Sequence, residues 1–137
     1  MSWRRWVSYA TCAWSVAFGV PHLWWALGVS WGFPGGEPSY LFFMSSAWRY
    51  VYDWVVITCS VLGVFVPLAL LKPPDKLVRR WVPHSLAYIA CVLLTVCGGV
   101  GLILDRGRDH VWDPTFLLGG ILFGAVALLV RTPRQVA

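Results

Sequence analysis

The sequence predicts an all-α, polytopic membrane protein, a bundle of four transmembrane helices. The chain has 137 residues, of which 58% are hydrophobic and only 12% are charged. A soluble domain of average composition carries about 25% charged residues, and a chain of this length cannot bury so much apolar surface in one core. Long apolar runs that end at charged residues or proline are the second observation. This composition excludes a soluble enzyme, a disordered chain and a disulfide-stapled secreted domain.

The first two apolar runs predict spans at about residues 6–29 and 50–71, since about 20 residues suffice to cross a bilayer. The first run follows Arg4 and Arg5. It is too long for a signal peptide and has no small-residue cleavage site, so we interpret it as an uncleaved span. The second run stops at Lys72-Pro73-Pro74, a sequence that ends a helix.

The last two runs predict spans at about residues 83–104 and 113–131. Pro83 lies near the start of the third run, where proline is tolerated, and Asp105 ends the run. The fourth run begins at Asp113-Pro114, which is typical of a helix N-cap followed by proline. Because no soluble segment is left over, residues 1–137 form one predicted domain.

The basic residues predict the orientation of these spans, because cytoplasmic loops are enriched in Lys and Arg. One predicted side of the membrane holds eight of the 11 Lys and Arg residues: Arg4, Arg5, Lys72, Lys76, Arg79, Arg80, Arg131 and Arg134. The other side holds Arg49, Arg106 and Arg108. We therefore expect a multi-pass protein of a bacterial plasma membrane with both termini in the cytoplasm. No basic motif for nucleic acid is present, so no nucleic-acid partner is expected.

The loop between the first two spans, residues 30–46, is the longest. Its glycines and prolines predict irregular structure, while its aromatic and aliphatic residues favour contact with lipid. We expect this loop to lie on the bilayer surface or to fold over the mouth of the bundle as a lid.

Ionisable residues gather near the predicted outer ends of the spans. Such residues are costly in a membrane and usually face the interior of a bundle. His22 follows Pro21 in the first span, and Asp53 lies at a similar depth in the second, so we expect them to line one outward-opening cavity. The candidate catalytic residues are Asp53, His22, Asp105 and Glu37. A carboxyl group held out of water would give a proton, and His22 would accept one.

Four aromatic residues are candidates for lining this cavity and for cation–π contact with a positive charge: Trp24, Trp25, Trp48 and Tyr52. Arg49 is a further binding candidate, and it is four residues from Asp53, so the two can pair on one helix face. Two interpretations of Asp53 stay open: a structural ion pair within an aromatic belt, or a carboxylate that reaches into the cavity. His22 is either an interfacial histidine bonded to a loop or a functional group. The pattern indicates no metal site and no cofactor.

Two stretches near opposite ends of the chain carry a resemblance. The first has Trp24-Trp25-Ala26-Leu27-Gly28 after Pro21-His22, followed by Trp31-Gly32-Phe33-Pro34-Gly35-Gly36. The second is Trp112-Asp113-Pro114-Thr115-Phe116-Leu117-Leu118-Gly119-Gly120-Ile121-Leu122-Phe123. Both resemble a family of small four-span bacterial proteins of unknown function that is frequent in actinobacteria. This resemblance implies four spans and an actinobacterial origin, and it assigns no catalytic residue. The architecture is also similar to the sterol-isomerase and sigma-2-receptor-like membrane fold, whose members hold sterols or hydrophobic amines.

Three functional hypotheses follow. The first is an outward-opening, aromatic-lined pocket for an isoprenoid or other lipid, with acid–base chemistry of an isomerase or cyclase. The second is a non-catalytic lipid-binding protein or an accessory subunit of a larger membrane complex. The third is a small transporter or channel, which needs a polar path that the second and third spans do not supply. The expected ligand is a membrane lipid or hydrophobic small molecule, and the sequence leaves a homodimer or a larger partner open.

Overall fold

The computed structural model describes residues 2–34, 36–71, 81–104 and 112–129. These residues form five α-helices and no strand: α1 (Trp3–Ala26), α2 (Gly36–Met44), α3 (Ala47–Leu71), α4 (Trp81–Leu104) and α5 (Trp112–Leu129). The predicted all-helical class is therefore confirmed. Three segments are long and apolar enough to cross a membrane: Tyr50–Leu71, Trp81–Ile103 and Trp112–Leu129. This property indicates a membrane protein.

The first helix ends three residues before the predicted end of the first span. Gly28 has a φ of 96°, a backbone conformation that glycine adopts without steric cost. Its N–H donates to the carbonyl of Trp25 (3.0 Å), and the N–H of Val29 donates to the carbonyl of Trp24 (3.2 Å). This pair of bonds is the Schellman motif, which terminates a helix. The apolar run continues past that signal, so hydropathy alone placed the end too late.

One face of α1 is buried and carries most of the polar side chains of that helix. Ser8, Thr11, Ser15 and His22 are all at most 6% exposed. The Oγ1 of Thr11 donates to the carbonyl of Val7 (2.8 Å), so this hydroxyl is satisfied within the helix. The three- and four-residue spacing of these positions places them on one side of the helix. Arg4 and Arg5, which are exposed in the first turn, give α1 a lower mean hydropathy than the other long helices.

The loop expected to be irregular contains the short helix α2. Gly36 begins this helix with a φ of 76°. Glu37 follows in the first turn, where a carboxylate interacts favourably with the helix dipole. Pro38 comes next, in the first turn, where its missing N–H costs no helical hydrogen bond. A nine-residue helix of this kind is too short for hydrophobic periodicity to identify it.

The chain divides into two compact units. One unit is Ala13–Val64, and the other combines the start of α1 with the chain after residue 64. In the second unit α4 and α5 pack antiparallel and very closely. A Cβ atom built on Gly98 would lie 2.7 Å from the backbone oxygen of Asp113, and one on Gly124 would lie 3.0 Å from the Sγ of Cys91. Small residues allow this approach, as they commonly do between membrane helices.

The segments that carry most of the orientation argument lie outside the described residues. They contain Lys72, Lys76, Arg79, Arg80, Arg106, Arg108, Arg131 and Arg134.

Candidate functional site

A buried histidine and a buried aspartate meet between α1 and α3, within the unit Ala13–Val64. The Nδ1 atom of His22 lies 2.9 Å from the Oδ1 atom of Asp53, which is a hydrogen-bonding distance. His22 is 6% exposed and Asp53 is 0% exposed. The two residues are 31 positions apart in the sequence, and antiparallel helices bring them together. We call them the His22–Asp53 pair.

The second carboxylate oxygen of Asp53 distinguishes this pair from a structural contact in which every polar atom has a hydrogen-bond partner. Its Oδ2 atom is buried and has no hydrogen-bond partner among the described residues. A buried acceptor without a partner typically costs about 1–3 kcal/mol, and more when it is charged. Such a group in a folded protein therefore requires an explanation, and a ligand that donates a hydrogen bond is one.

Three aromatic rings surround the His22 side of the pair. The ring centroids of Phe18, Trp25 and Tyr52 lie 5.2, 5.1 and 6.0 Å from that of His22. Phe18 and Trp25 are buried, whereas Tyr52 is 46% exposed. Aromatic faces attract positive charge, so this surrounding suits a cationic ligand.

The segment between α1 and α2 holds Trp25 in place. The Nε1–H of Trp25 donates to the carbonyl of Trp31 (3.3 Å), and the hydroxyl of Tyr40 donates to the carbonyl of Trp25 (3.1 Å). Phe33 lies between them, with ring centroids 5.0 Å from Trp25 and 5.5 Å from Tyr40. The segment therefore packs back against the end of α1, and its contacts fix the ring that lies beside His22.

The structure places the other predicted site residues apart from the pair or does not describe them. Trp24 and Trp48 are 48% and 79% exposed, and Glu37 is exposed at the start of α2. The side chain of Arg49 and the whole of Asp105 lie outside the described residues, so the expected Arg49–Asp53 pair stays a prediction. Within the described part of the chain, Asp53 contacts His22.

An apolar groove lies along the same two helices, next to the pair in sequence but not lined by it. It has a volume of about 180 Å³ and is open on one side. Seven of its lining residues are apolar or glycine and two are serines: Ser15, Val16, Gly19, Val20, Leu23, Ile57, Ser60, Val61 and Val64. We call it the α1/α3 groove. It lies wholly within the unit Ala13–Val64.

A second buried carboxylate, Asp113, lies in the other unit and has a different environment. It is 7% exposed, and its Oδ2 atom has no partner among the described residues. A Cβ atom on Gly101 would collide with its carboxylate, so the absence of a side chain there makes room for it. Sequence predicted Asp113 as an N-cap, and the structure places it inside the first turn of α5.

Sequence reasoning missed several residues of the site. Ser15, Gly19 and Ser60 belong to no motif. Their spacing from His22 or Asp53 is helical, so pairing of the first two spans would have placed them on the same faces as the pair. Tyr40 gave no signal, because its bond joins two segments whose relative position depends on the turn at Gly28.

Comparison with known proteins adds no assignment. No family model matches the chain, and no curated protein or solved structure is significantly similar to it. Among the described residues, no group of three or more His, Cys, Asp or Glu side chains is placed to hold a metal ion. The His22–Asp53 pair is therefore the feature of the described residues on which a function can be based.

Proposed function

We propose that this chain is a four-span membrane protein that binds an isoprenoid or other lipid at the His22–Asp53 pair and moves a proton to and from it. The observation that carries the proposal is the buried 2.9 Å contact beside aromatic rings, with one carboxylate oxygen left without a partner. An ionisable pair inside a membrane protein costs free energy, and proteins retain such pairs mainly where they function.

The fourth span of this proposal is α1. Its 24 residues extend for about 36 Å, which exceeds the roughly 30 Å of a bilayer core. Arg4 and Arg5 are exposed in its first turn, at the end expected to lie at the membrane surface. Beyond them Ser8, Thr11, Ser15 and His22 are buried, and the exposed side chains are largely apolar, including Trp6, Val16, Val20 and Leu23. The surface that α1 offers to lipid is therefore more apolar than its mean composition.

The proposed reaction is the migration of a double bond within the bound lipid. The pair gives a proton to one alkene carbon, which leaves a positive charge on the other alkene carbon. A C–H bond on the next carbon along the chain then breaks, its electron pair forms the new double bond, and the proton returns to the pair. No oxidant, reductant or second substrate is consumed. The positive charge that forms between these steps lies near the rings of Phe18, Trp25 and Tyr52, which attract it. A buried site also keeps water away from the cation.

Lipid retention tests the binding step. Wild-type protein, Asp53→Asn and Thr58→Val are purified in mild detergent, and the lipids that accompany each are extracted and quantified by mass spectrometry. Thr58 is exposed on α3 and bonds to the carbonyl of Trp54, so its replacement is the control. We expect Asp53→Asn to lose the retained lipid at least about tenfold, the ratio that one hydrogen bond of about 1.4 kcal/mol supplies. Equal retention in all three proteins would overturn the proposal.

Solvent deuterium tests the proton transfer. The protein with its lipid is incubated in D₂O, and the lipid is analysed for carbon-bound deuterium. Incorporation by the wild type that is absent in Asp53→Asn supports acid–base chemistry. Retention of lipid without incorporation contradicts the reaction and favours the second function, a lipid-binding or accessory protein without catalysis. The apolar groove beside the pair is the observation that favours this alternative.

A further inference from the structure

The α1/α3 groove begins one helical turn from the His22–Asp53 pair. Gly19 lies three residues before His22, and Ile57 lies four residues after Asp53, so both share a helix face with the pair. Ser15 and Ser60 are each seven residues from their member of the pair, about 10 Å further along the helices. The groove is therefore a continuation of the site.

The floor of the groove limits what can lie in it. A Cβ atom on Gly19 would lie 2.7 Å from the Cβ of Ser60, so the two helices touch at this point. The groove has a volume of about 180 Å³ and is open on one side. A single flexible hydrocarbon chain can follow such a shallow floor, whereas a rigid fused ring system cannot bend to it and would rest on the rim.

The rim of the groove consists of exposed apolar side chains. Val20 and Val61 are 53% and 51% exposed. Val61 lies within Tyr50–Leu71, one of the segments able to cross a membrane, so the open side faces hydrocarbon. An occupant that enters from this side comes from the lipid phase.

We infer that the α1/α3 groove holds the single linear or prenyl chain of the ligand, with the polar or reacting end of that ligand at the His22–Asp53 pair. This inference rests on the proposed function and names its substrate class. The site selects a lipid with one flexible chain and rejects sterol-like rings.

Photolabelling tests the occupant. A prenyl alcohol that carries a diazirine in its chain and a diazirine-bearing sterol are added separately to the purified protein in lipid nanodiscs. After irradiation, labelled peptides are mapped by mass spectrometry. We expect the prenyl probe to label residues 15–23 and 57–64, and the sterol to label them at least about tenfold less, a difference of about 1.4 kcal/mol. Equal labelling by the two probes would overturn the inference.

A matched pair of variants controls for general exposure to lipid. Val61→Trp fills the groove from its rim. Val55→Trp adds the same side chain at a position of α3 that is 53% exposed and does not line the groove. We expect Val61→Trp to abolish prenyl labelling of the groove and Val55→Trp to leave it unchanged. Equal effects of the two variants would contradict the inference.

The Asp53→Asn variant separates this inference from the proposed function. One outcome is equal labelling of the groove and equal lipid retention in wild type and Asp53→Asn. The proposed function then fails, because the pair does not hold the polar end of the lipid, and the inference as stated is overturned with it. If Asp53→Asn loses the lipid but the prenyl probe labels α3 evenly on both sides of residue 57, the proposed function stands and the groove assignment is overturned.

Discussion

At the scale of single residues, two buried carboxylates of this chain illustrate two different roles. Asp53 contacts a histidine and is flanked by aromatic rings. Asp113 fits against a glycine of the neighbouring helix and lies in the first turn of α5. A carboxylate in the first turn stabilises its helix through the dipole, which is sufficient reason for its presence. Asp53 combines burial with a hydrogen-bonding contact to a second titratable group, His22, and this combination makes it the functional candidate.

Removing one member of the His22–Asp53 pair should destabilise the protein more than removing both. Asp53→Leu removes the buried carboxylate that contacts His22, and we expect the free energy of unfolding to fall by about 1–3 kcal/mol. Replacing both residues by leucine exchanges the pair for apolar packing, which is often neutral or stabilising. Thermal unfolding in detergent measures both changes.

The comparison needs an exposed control and has a clear contrary outcome. Thr58→Val lies on the exposed surface of α3, and a surface substitution of this kind changes stability by about 0.5 kcal/mol or less. An Asp53→Leu protein as stable as Thr58→Val would contradict a buried pair. A stable double variant that has lost its lipid would assign the pair to function.

At the scale of helices, the contact between α4 and α5 depends on which glycine faces the neighbour. Gly98 is buried, and a Cβ atom there would lie 2.7 Å from the backbone oxygen of Asp113. The adjacent Gly99 has nothing within 4 Å of its Cβ position. The backbone oxygen cannot rotate away as a flexible side chain can, so the two positions should respond oppositely to alanine.

We expect Gly98→Ala to lower stability by about 1–3 kcal/mol through overpacking. Gly99→Ala should raise stability by up to about 1 kcal/mol, because alanine favours the helix over glycine. Chemical or thermal unfolding of both variants in one detergent provides the measurement. Similar changes in both variants would show that α4 and α5 do not pack through Gly98 in solution.

The helices were predictable to the extent that hydropathy determines them. The ends of α3 and α4 follow from Lys72-Pro73-Pro74 and Asp105, which stop apolar runs. The end of α1 was misplaced and α2 was missed, because positive-φ glycines decide both and a hydropathy average does not register them. The proximity of His22 and Asp53 was expected from their similar depth in the two spans. The packing of Phe33 and Tyr40 against Trp25 was not, because it depends on the path of the loop.

At the scale of the whole molecule, the number of spans determines the side on which each terminus lies. With four spans, the two termini share one side and residue 36 lies on the other. If α1 does not span, the N-terminus lies opposite the C-terminus. The length of α1 and its buried polar face favour four spans, and the eight basic residues on the predicted inner side favour a cytoplasmic location for both termini.

Reporter fusions decide between these arrangements. We expect an N-terminal epitope and a reporter at Ala137 to be protected in intact spheroplasts, and a phosphatase reporter inserted after Gly36 to be active outside. Replacing Arg4 and Arg5 by glutamate removes two positive charges next to α1 and should weaken the retention of the N-terminus inside, because Lys and Arg dominate this bias. An epitope accessible at the N-terminus of the wild type, with Ala137 inside, would mean that α1 does not cross. The His22–Asp53 pair would then lie between a spanning helix and one outside the bilayer core, and a lipid site at its proposed depth would lose its basis.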